Sequence, residues 1–489
     1  MENLSLAKNL FLRALAAQEA GNLPEAETLL RQALTHAPGR ESLQVNLAGI
    51  LLENSQTAEA TSLCEQVLAH NPANPTAWLN LALCRMKDDA PSAALDAMEK
   101  SIALDPGNAS AYGNQGSILM LLAKPGKALS AYEHAIRLDA DNPEWHTARG
   151  TALRALRRFN EAAEAHTKAL LLDPDCANAH WNRALVELTL GHYETGWQEF
   201  EWRWRTPEPV IFSYRGHAPR WHGASLKGQR ILLWSEQGLG DTLQFCRFAL
   251  PLAEQGAIVI LQVQASLLRL LRDSLASAHI SVIAQNEIPP PHDLHSPLLS
   301  LPRILGTRPE TIPARHQAYL SAPTGLEHDW QTKPDLQRQP RVGLMWQGNL
   351  ENRIGRSRSL HAKQLLPLLS LPCDFVFVGK DLAEEDAQLL VSTGNFRHLT
   401  RAISDFADTA SLICQLDLVI SIDTSVAHLA AALGTPTWVL LAQGADWRWG
   451  LDEDSSPWYR HSTRLFRQTE AGNWDEVISA LRSALNSLT

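Results

Sequence analysis

Apolar residues in the first two hundred positions fall at helical spacing, in short segments that recur every 34 residues. Pro38, Pro72, Pro106 and Pro174 stand 34, 34 and 68 residues apart. Small residues hold two fixed places in the repeat: Ala14, Ala48, Ala82, Gly116, Gly150 and Ala184 in one, and Ala26, Ala60, Ala94, Ala128 and Ala162 in the other. Small facing positions let two helices approach closely, so the pattern predicts stacked helix pairs. Five full repeats run from Ala7 to Cys176, and a sixth, from Ala177 to about Trp204, ends in a capping helix. From Gln229 the period changes. Short apolar runs, Arg230–Ser235, Ile258–Val263, Ile280–Ile283, Arg341–Trp346, Phe375–Val378, Leu418–Ile422 and Thr437–Leu441, read as strands. Between them Thr242–Glu254, Ala265–Ala276, Ala362–Leu371, Leu382–Ser392, Phe406–Gln415 and Val426–Leu433 read as helices, with a last one from Trp474 to about Leu488. Alternating strand and helix predicts parallel sheets with ligands beyond the carboxyl ends of the strands.

A period of 34 is that of the tetratricopeptide repeat (TPR), whose stacked pairs form a solenoid with a concave groove suited to a peptide or partner protein. Asn46, Asn80, Asn114 and Asn182 recur on the first helices of their repeats. They offer either a ladder of amides for a peptide backbone or a solvated polar face. Asp139/Asp141 and Asp173/Asp175 have D-x-D spacing but sit in turns between repeats, where capping is the expected role.

The most informative stretch of the second part is Asp417 to Gly450. A Val/Ile strand stops at Asp423-Thr424-Ser425, a triplet that favours helix capping; Gly434 closes the following helix and Pro436 prevents its continuation. A helix starting just past a parallel strand presents free N–H groups and the positive end of its dipole, which suits an anion. His428 falls in or near the first turn, as an added donor to phosphate or as an ordinary buried histidine. Arg353, Arg356 and Arg358, with Ser359, follow another strand end, either as guanidinium forks for a diphosphate or as a solvated loop. Gly238-Leu239-Gly240-Asp241 follows the first strand but lacks the third glycine and the acidic ribose residue of a dinucleotide site. Its glycines allow a close approach to the backbone, and Asp241 is either a helix cap or a carboxylate facing a cleft.

A net charge of −10 excludes a general role on nucleic acid or an anionic membrane surface. The six cysteines have no CxxC spacing and read as free thiols of a reducing compartment. The first helix is amphipathic rather than a signal peptide, and no apolar run approaches a membrane span, so a cytoplasmic location is expected. The junction Gly191–Trp204 is rich in Trp. Trp197 and Phe200 suit docking onto the next domain, with sugar stacking as the other use. Trp447, Trp449 and Trp458 are open in the same way between stacking and core packing. Asp452-Glu453-Asp454 also has a D-x-D spacing and reads as a solvated loop.

Gly240-Asp241 and Asp423-Thr424-Ser425-x-x-His428-Leu429-x-x-x-x-Gly434-x-Pro436 together resemble glycosyltransferase family 9, which contains bacterial heptosyltransferases. The resemblance runs from about Arg230 to Leu485. It implies a GT-B fold of two facing Rossmann-like halves, placed after an all-α TPR solenoid. The expected divisions are 1–206 for the solenoid, 207–228 for a linker, 229–335 for the acceptor-side half and 336–489 for the nucleotide-sugar half. Carried over, Asp241 is the catalytic base for the acceptor hydroxyl, with Gly238 and Gly240 shaping its loop. Asp423, Thr424, Ser425 and His428 bind the donor diphosphate; Arg356, Arg358 and Ser359 stand loosely where the family uses hydroxyls and a lysine. The resemblance implies transfer from a nucleotide sugar, inverting and without a metal or other cofactor. The fusion resembles bacterial TPR–glycosyltransferases, some tied to flagellin glycosylation, so the expected acceptor is a protein held by the groove. A glycolipid acceptor, or a non-catalytic scaffold with a degenerate transferase domain, are the alternatives.

Overall fold

The computed structural model describes residues 2–207, 212–323, 339–349, 353–398, 403–451 and 454–488. Most of the polar boundary Gln331–Gln339, Pro209 of the expected linker, Asp452-Glu453 and the side chain of Arg353 lie outside the described residues. The chain divides into two compact units, 1–182 and 183–489.

The first unit is all helix. Its pairs are α1 (Glu2–Glu19) with α2 (Leu23–His36), α3 (Glu41–Glu53) with α4 (Thr57–His70), α5 (Pro75–Lys87) with α6 (Pro91–Leu104), α7 (Ala109–Leu121) with α8 (Pro125–Leu138), and α9 (Pro143–Ala155) with α10 (Phe159–Leu172). Helix α11 (Ala177–Thr189) contains the division between the units, and α12 (Tyr193–Phe200) belongs to the second. The repeat is visible in the backbone. Gly21, Ser55, Asp89, Ala123, Arg157 and Gly191 all have positive φ, and each lies 34 residues after the last. A left-handed residue at this point turns the chain from the first helix of a pair into the second. Asn74, Asn108 and Asn142, also 34 apart, cap α5, α7 and α9 by accepting N–H bonds from Ala77, Ala111 and Glu144. The small-residue places are buried as expected. Where the residue shrinks to glycine its neighbour is a ring: a Cβ on Gly116 would lie 2.5 Å from Tyr132, and one on Gly150 2.5 Å from His166. Of the aspartate turns, Asp173 Oδ1 accepts the Asp175 N–H at 3.0 Å, as expected of a turn residue, while Asp139 Oδ2 accepts from the side chain of Asn142, the residue that caps α9, at 3.3 Å.

The second unit holds two parallel sheets. The first has four strands, β1 (Arg230–Trp234), β2 (Ile258–Val263), β3 (Ile280–Ala284) and β4 (Leu294–Pro297), in the order β3-β2-β1-β4. Helices α13 (Leu239–Phe245), α14 (Ala249–Glu254) and α15 (Ala265–Leu275) connect β1 to β3, and α16 (Leu301–Ile304) follows β4. The expected continuous helix from Thr242 to Glu254 is broken by a 3-10 turn at Cys246–Phe248. Pro251 explains the break, since its ring lacks an N–H and clashes with the carbonyl one turn back. The described part of 207–228 runs along β4, with the Trp221 N–H donating to His295 O and the His295 N–H to Pro219 O.

The second sheet has six strands: β5 (Arg341–Met345), β6 (Asp374–Phe377), β7 (Phe396–His398), β8 (Leu418–Ile422), β9 (Thr437–Leu441) and β10 (Thr463–Arg467). Their order is β10-β9-β8-β5-β6-β7, the doubly wound arrangement that reverses direction between β5 and β8. The accompanying helices are α17 (Arg353–Arg358), α18 (Leu366–Leu369), α19 (Glu384–Val391), α20 (Phe406–Ile413), α21 (Ser425–Leu433) and α22 (Asp475–Asn486). The core of this half is Val342, Leu344, Trp346, Phe375, Phe377, Ile420 and Leu481 with their neighbours. Within the described residues no helix is long and apolar enough to cross a membrane.

Candidate functional site

In an open parallel sheet a ligand site forms where the strand order reverses. In the six-stranded sheet that point lies between β5 and β8, and the segments leaving these strands carry Arg358 and Asp423. Arg358 Nη1 lies 3.5 Å from Asp423 Oδ2. Helix α21 begins immediately after. Thr424 is its N-cap, in extended backbone (φ −142°, ψ 171°), but its side chain makes no capping bond. The expected hydroxyl cap is therefore not formed, because Thr424 Oγ1 turns to Ser421 Oγ at 3.1 Å in the core. The first intrahelical bond is from the His428 N–H to Thr424 O, so the amides of Ser425, Val426 and Ala427 have no intrahelical acceptor. Gly434 closes the helix in the left-handed conformation (φ 81°), as the sequence predicts.

The start of α13, after β1 of the other sheet, stands against this helix. A Cβ on Gly240 would lie 2.9 Å from His428 Cδ2 and 3.7 Å from Ser425 Cα. Glycine is thus required here for close approach rather than for its φ. Asp241 is half-buried with both oxygens engaged: Oδ2 accepts the Gly238 N–H at 2.9 Å, and Oδ1 accepts from Arg448 Nη2. Burial pushes its carboxyl above the usual aspartate range, against the pull of Arg448. Gly238, Gly240, Asp241, Asp423, Ser425, His428 and Arg358 are therefore brought together from the two sheets.

Other predicted residues behave differently. His428 is buried and stacks on Trp449 with ring centroids 5.1 Å apart, while its Nδ1 pairs with Tyr459 Oη at 3.0 Å. Burial, then Arg448 and Arg247, hold its pKa well below the usual histidine range, so the ring is neutral and brings no charge to an anion. Its Nε2 lies 3.9 Å from Asp423 Oδ1. Ser359 uses its hydroxyl inside its own loop, accepting the Gly348 N–H at 2.9 Å and donating to Gly355 O at 2.7 Å. Arg356 is exposed, and the expected arginine loop is the short helix α17. Asp423 is pushed up to about 6, first by burial and then by the like charge of Asp446, despite Arg358. The asparagine ladder is broken: Asn80 is buried and its amide donates to Val45 O at 2.8 Å. Asn46 and Asn182 donate to carbonyls of their own helices, Ser42 O and Asn178 O.

The tryptophans resolve as packing. Trp197 lies against Phe245, Trp447 and Trp458 at centroid distances of 6.3, 5.2 and 6.2 Å. Trp447, Trp449 and Trp458 are all buried, so of the two uses left open for these rings the structure shows core packing. Helix α12 thus docks on both α/β halves at once, since Phe245 belongs to the first and Trp447 and Trp458 to the second.

Two further residues of the site carry a signal that was in the sequence. Glu201-Trp202-Arg203-Trp204 and Asp446-Trp447-Arg448-Trp449 repeat one acid–Trp–Arg–Trp pattern, and both contain a single 3-10 turn. In each the arginine folds back to the acid two residues earlier, Arg203 to Glu201 at 2.9 Å and Arg448 to Asp446 at 2.8 Å. Each arginine also pairs with a carboxylate after β1: Arg203 with Glu236 at 2.9 Å, Arg448 with Asp241. Glu236 is fully buried and pushed up to about 7, mainly by that burial.

Family comparisons divide the chain in the same way. Tetratricopeptide repeat models match residues 11–64, 46–109, 147–196 and 109–142, and the glycosyltransferase family 9 (heptosyltransferase) model matches 388–473. The latter segment contains Asp423, Thr424, Ser425, His428 and Arg448 and stops short of Asp241 and Arg358. The chain thus joins TPR repeats to a glycosyltransferase family 9 segment. Protein FlbA of Caulobacter vibrioides is 27% identical over 327 residues, covering 62% of this chain and 54% of that protein. The chain spans about half the length of this relative. Among solved structures, a thermophilic TPR protein of Thermus thermophilus has a TM-score of 0.34 at 20% identity, over 37% of this chain and 99% of that one. PilF of Pseudomonas aeruginosa has a TM-score of 0.37 at 16% identity, over 41% and 90%.

Proposed function

We propose that the chain transfers a sugar from a nucleotide-sugar donor to a hydroxyl acceptor on a protein engaged by the TPR repeats. The observation that carries this is the meeting of two helix starts from two sheets. One, at α21, has amides without an intrahelical acceptor and Arg358 paired with the preceding Asp423; the other holds the carboxylate of Asp241. The donor diphosphate lies at the start of α21, where backbone N–H groups, the helix dipole and Arg358 offset its charge. Asp241 accepts the acceptor hydroxyl proton as the hydroxyl oxygen bonds to the anomeric carbon. The bond from that carbon to the diphosphate oxygen breaks, and the diphosphate leaves with the electron pair. A single displacement of this kind inverts the anomeric centre. Positive charge at α21 acts on charge that develops in the transition state, which is where such groups are most effective. The TPR and family 9 segments support the pairing of a recognition module with glycosyl transfer.

A thermal-shift screen of the full chain against ADP-, UDP-, GDP- and CMP-sugars tests donor binding, because a ligand of the native state raises the melting point. One nucleotide class is expected to raise it in both the wild type and Asp241→Ala, with transfer only in the wild type. No shift with any of them removes the donor from the proposal.

A further inference from the structure

We propose that Arg448 is the positioning residue of the transfer step, aiming the Asp241 carboxylate and keeping it ionised so that it can take the acceptor proton. This rests on the transfer reading above. The guanidinium is fixed on three sides: Nη2 donates to Asp241 Oδ1, Nη1 to Asp446 Oδ1 at 2.8 Å, and Nε to Gln244 Oε1 at 2.7 Å. Gln244 and Asp241 are three residues apart on α13 and so share a face. The planar fork therefore reads the orientation of that helix as well as the charge of its acid. Its flat side lies 4.5 Å from the Trp447 ring, which Trp197 and Trp458 hold in turn. The Asp446 carboxylate also accepts the Arg448 N–H at 3.1 Å, so backbone and side chain are set together.

Arg448 is not needed merely to join the two α/β halves. Arg247 joins them through a neutral partner, Trp458 O at 2.8 Å, and Arg269 of α15 pairs with Asp405 at the start of α20. Neither of these contacts touches Asp241. Arg203 makes the twin contact on Glu236, but there the carboxylate is sealed from solvent, whereas Asp241 remains partly exposed. The charges around Asp241 make its partner necessary. Asp446 lies on the same loop as Arg448, Glu236 lies in the turn after β1 and is paired with Arg203, and Asp423 starts α21; the other cations of the region are Arg448, Arg247 after α13 and Arg358 of α17. His428 faces the same region as a neutral ring. Without Arg448, Asp241 is a half-buried acid among like charges.

The test compares Arg448→Met, Arg448→Lys, Asp241→Asn and the double variant Asp241→Asn/Arg448→Met in the full chain. Melting points between pH 5 and 8.5 need no activity. The deficit of Arg448→Met relative to wild type should widen as pH rises, because the unpartnered acid must ionise inside the fold. The widening should vanish in the double variant, and Arg448→Lys should lie between. A deficit that is constant with pH, or unchanged in the double variant, makes Arg448 a structural tie and overturns the proposal. In transfer assays the acid limb of the Arg448→Met rate profile should move up by a pH unit or more, with the rate recovering at high pH; a parallel loss at every pH also overturns it. If the melting pattern holds but the wild type transfers no sugar, the Arg448–Asp241 coupling stands and the proposed function falls. If Arg448→Met does not fold, Arg448→Lys carries the same comparisons.

Discussion

The starts of α13 and α21 meet across the site, and they engage their acids in opposite ways. At α13 the helix supplies its own anion: Asp241 takes the Gly238 N–H on one oxygen and Arg448 on the other. At α21 the residues that could cap the helix do not. Thr424 turns its hydroxyl to Ser421, Asp423 leans toward Arg358, and three amides are left without an intrahelical acceptor. At α13 the two bonds hold the Asp241 carboxylate in place, while at α21 the acid is drawn aside and leaves room at the helix start for the proposed anion. Sequence propensity rates both as good caps; their different surroundings decide which cap is made.

Four changes sharpen or break this contrast. The largest effect is expected from Asp241→Ala, which removes the proposed base while leaving the start of α21 intact. Transfer should fall by about 10²–10⁴, the usual contribution of general base catalysis, with nucleotide affinity nearly unchanged in a binding titration. Full activity would remove Asp241 from the mechanism. Gly240→Ala comes next. Its new Cβ meets His428 at 2.9 Å and forces the two starts apart. A displacement on the order of 1 Å can cost about 10² in rate, so kcat should fall by about that much with the melting point little changed.

Ser425→Pro tests the start of α21 alone. Proline suits the first position of a helix and follows extended backbone such as that of Thr424, so the fold should persist with one amide donor removed. A charge-assisted hydrogen bond contributes about 1.5–3 kcal/mol, so nucleotide affinity should weaken about tenfold or more by calorimetry. Unchanged affinity would place the anion elsewhere. The smallest effect is that of pH. Asp423 is raised to about 6, so it gains a proton in the fold before it would in the unfolded chain. Its favourable contribution to stability is present at low pH and is lost as pH rises through about 6. That contribution is on the order of 1–3 kcal/mol. Protonation also removes a negative charge beside the proposed diphosphate site, so nucleotide affinity should rise a few-fold between pH 7.5 and 5.5. Asp423→Asn should flatten both dependences, in melting and in binding.

The helical repeats were legible because a period of 34 repeats the same local contacts. Even the turn residues keep that spacing, although only Gly21 and Gly191 of the six left-handed positions are glycine. The strands with continuous Val and Ile were legible for the same reason. The strands β4, β7 and β10 were not: Leu-His-Ser-Pro, Phe-Arg-His and Thr-Arg-Leu-Phe-Arg have little local preference and are strands because a neighbour pairs with them. In the site, Asp241 and the Asp423–His428 stretch could be picked out from their place after strands. The state of His428 could not, since its neutrality follows from burial between Gly240 and Trp449.

By itself the sequence determined the helix repeats, the change to alternating strand and helix, the glycine that ends α21 and the acid that starts α13. These are interactions among residues a few positions apart, and propensity and spacing encode them. Tertiary structure alone decided that Arg448 would meet Asp241 from 207 residues away, that the tryptophans would be core, and that Thr424 would leave its helix uncapped. Such outcomes depend on which surfaces become neighbours, and burial then sets the charge and the hydrogen bonds each group can keep.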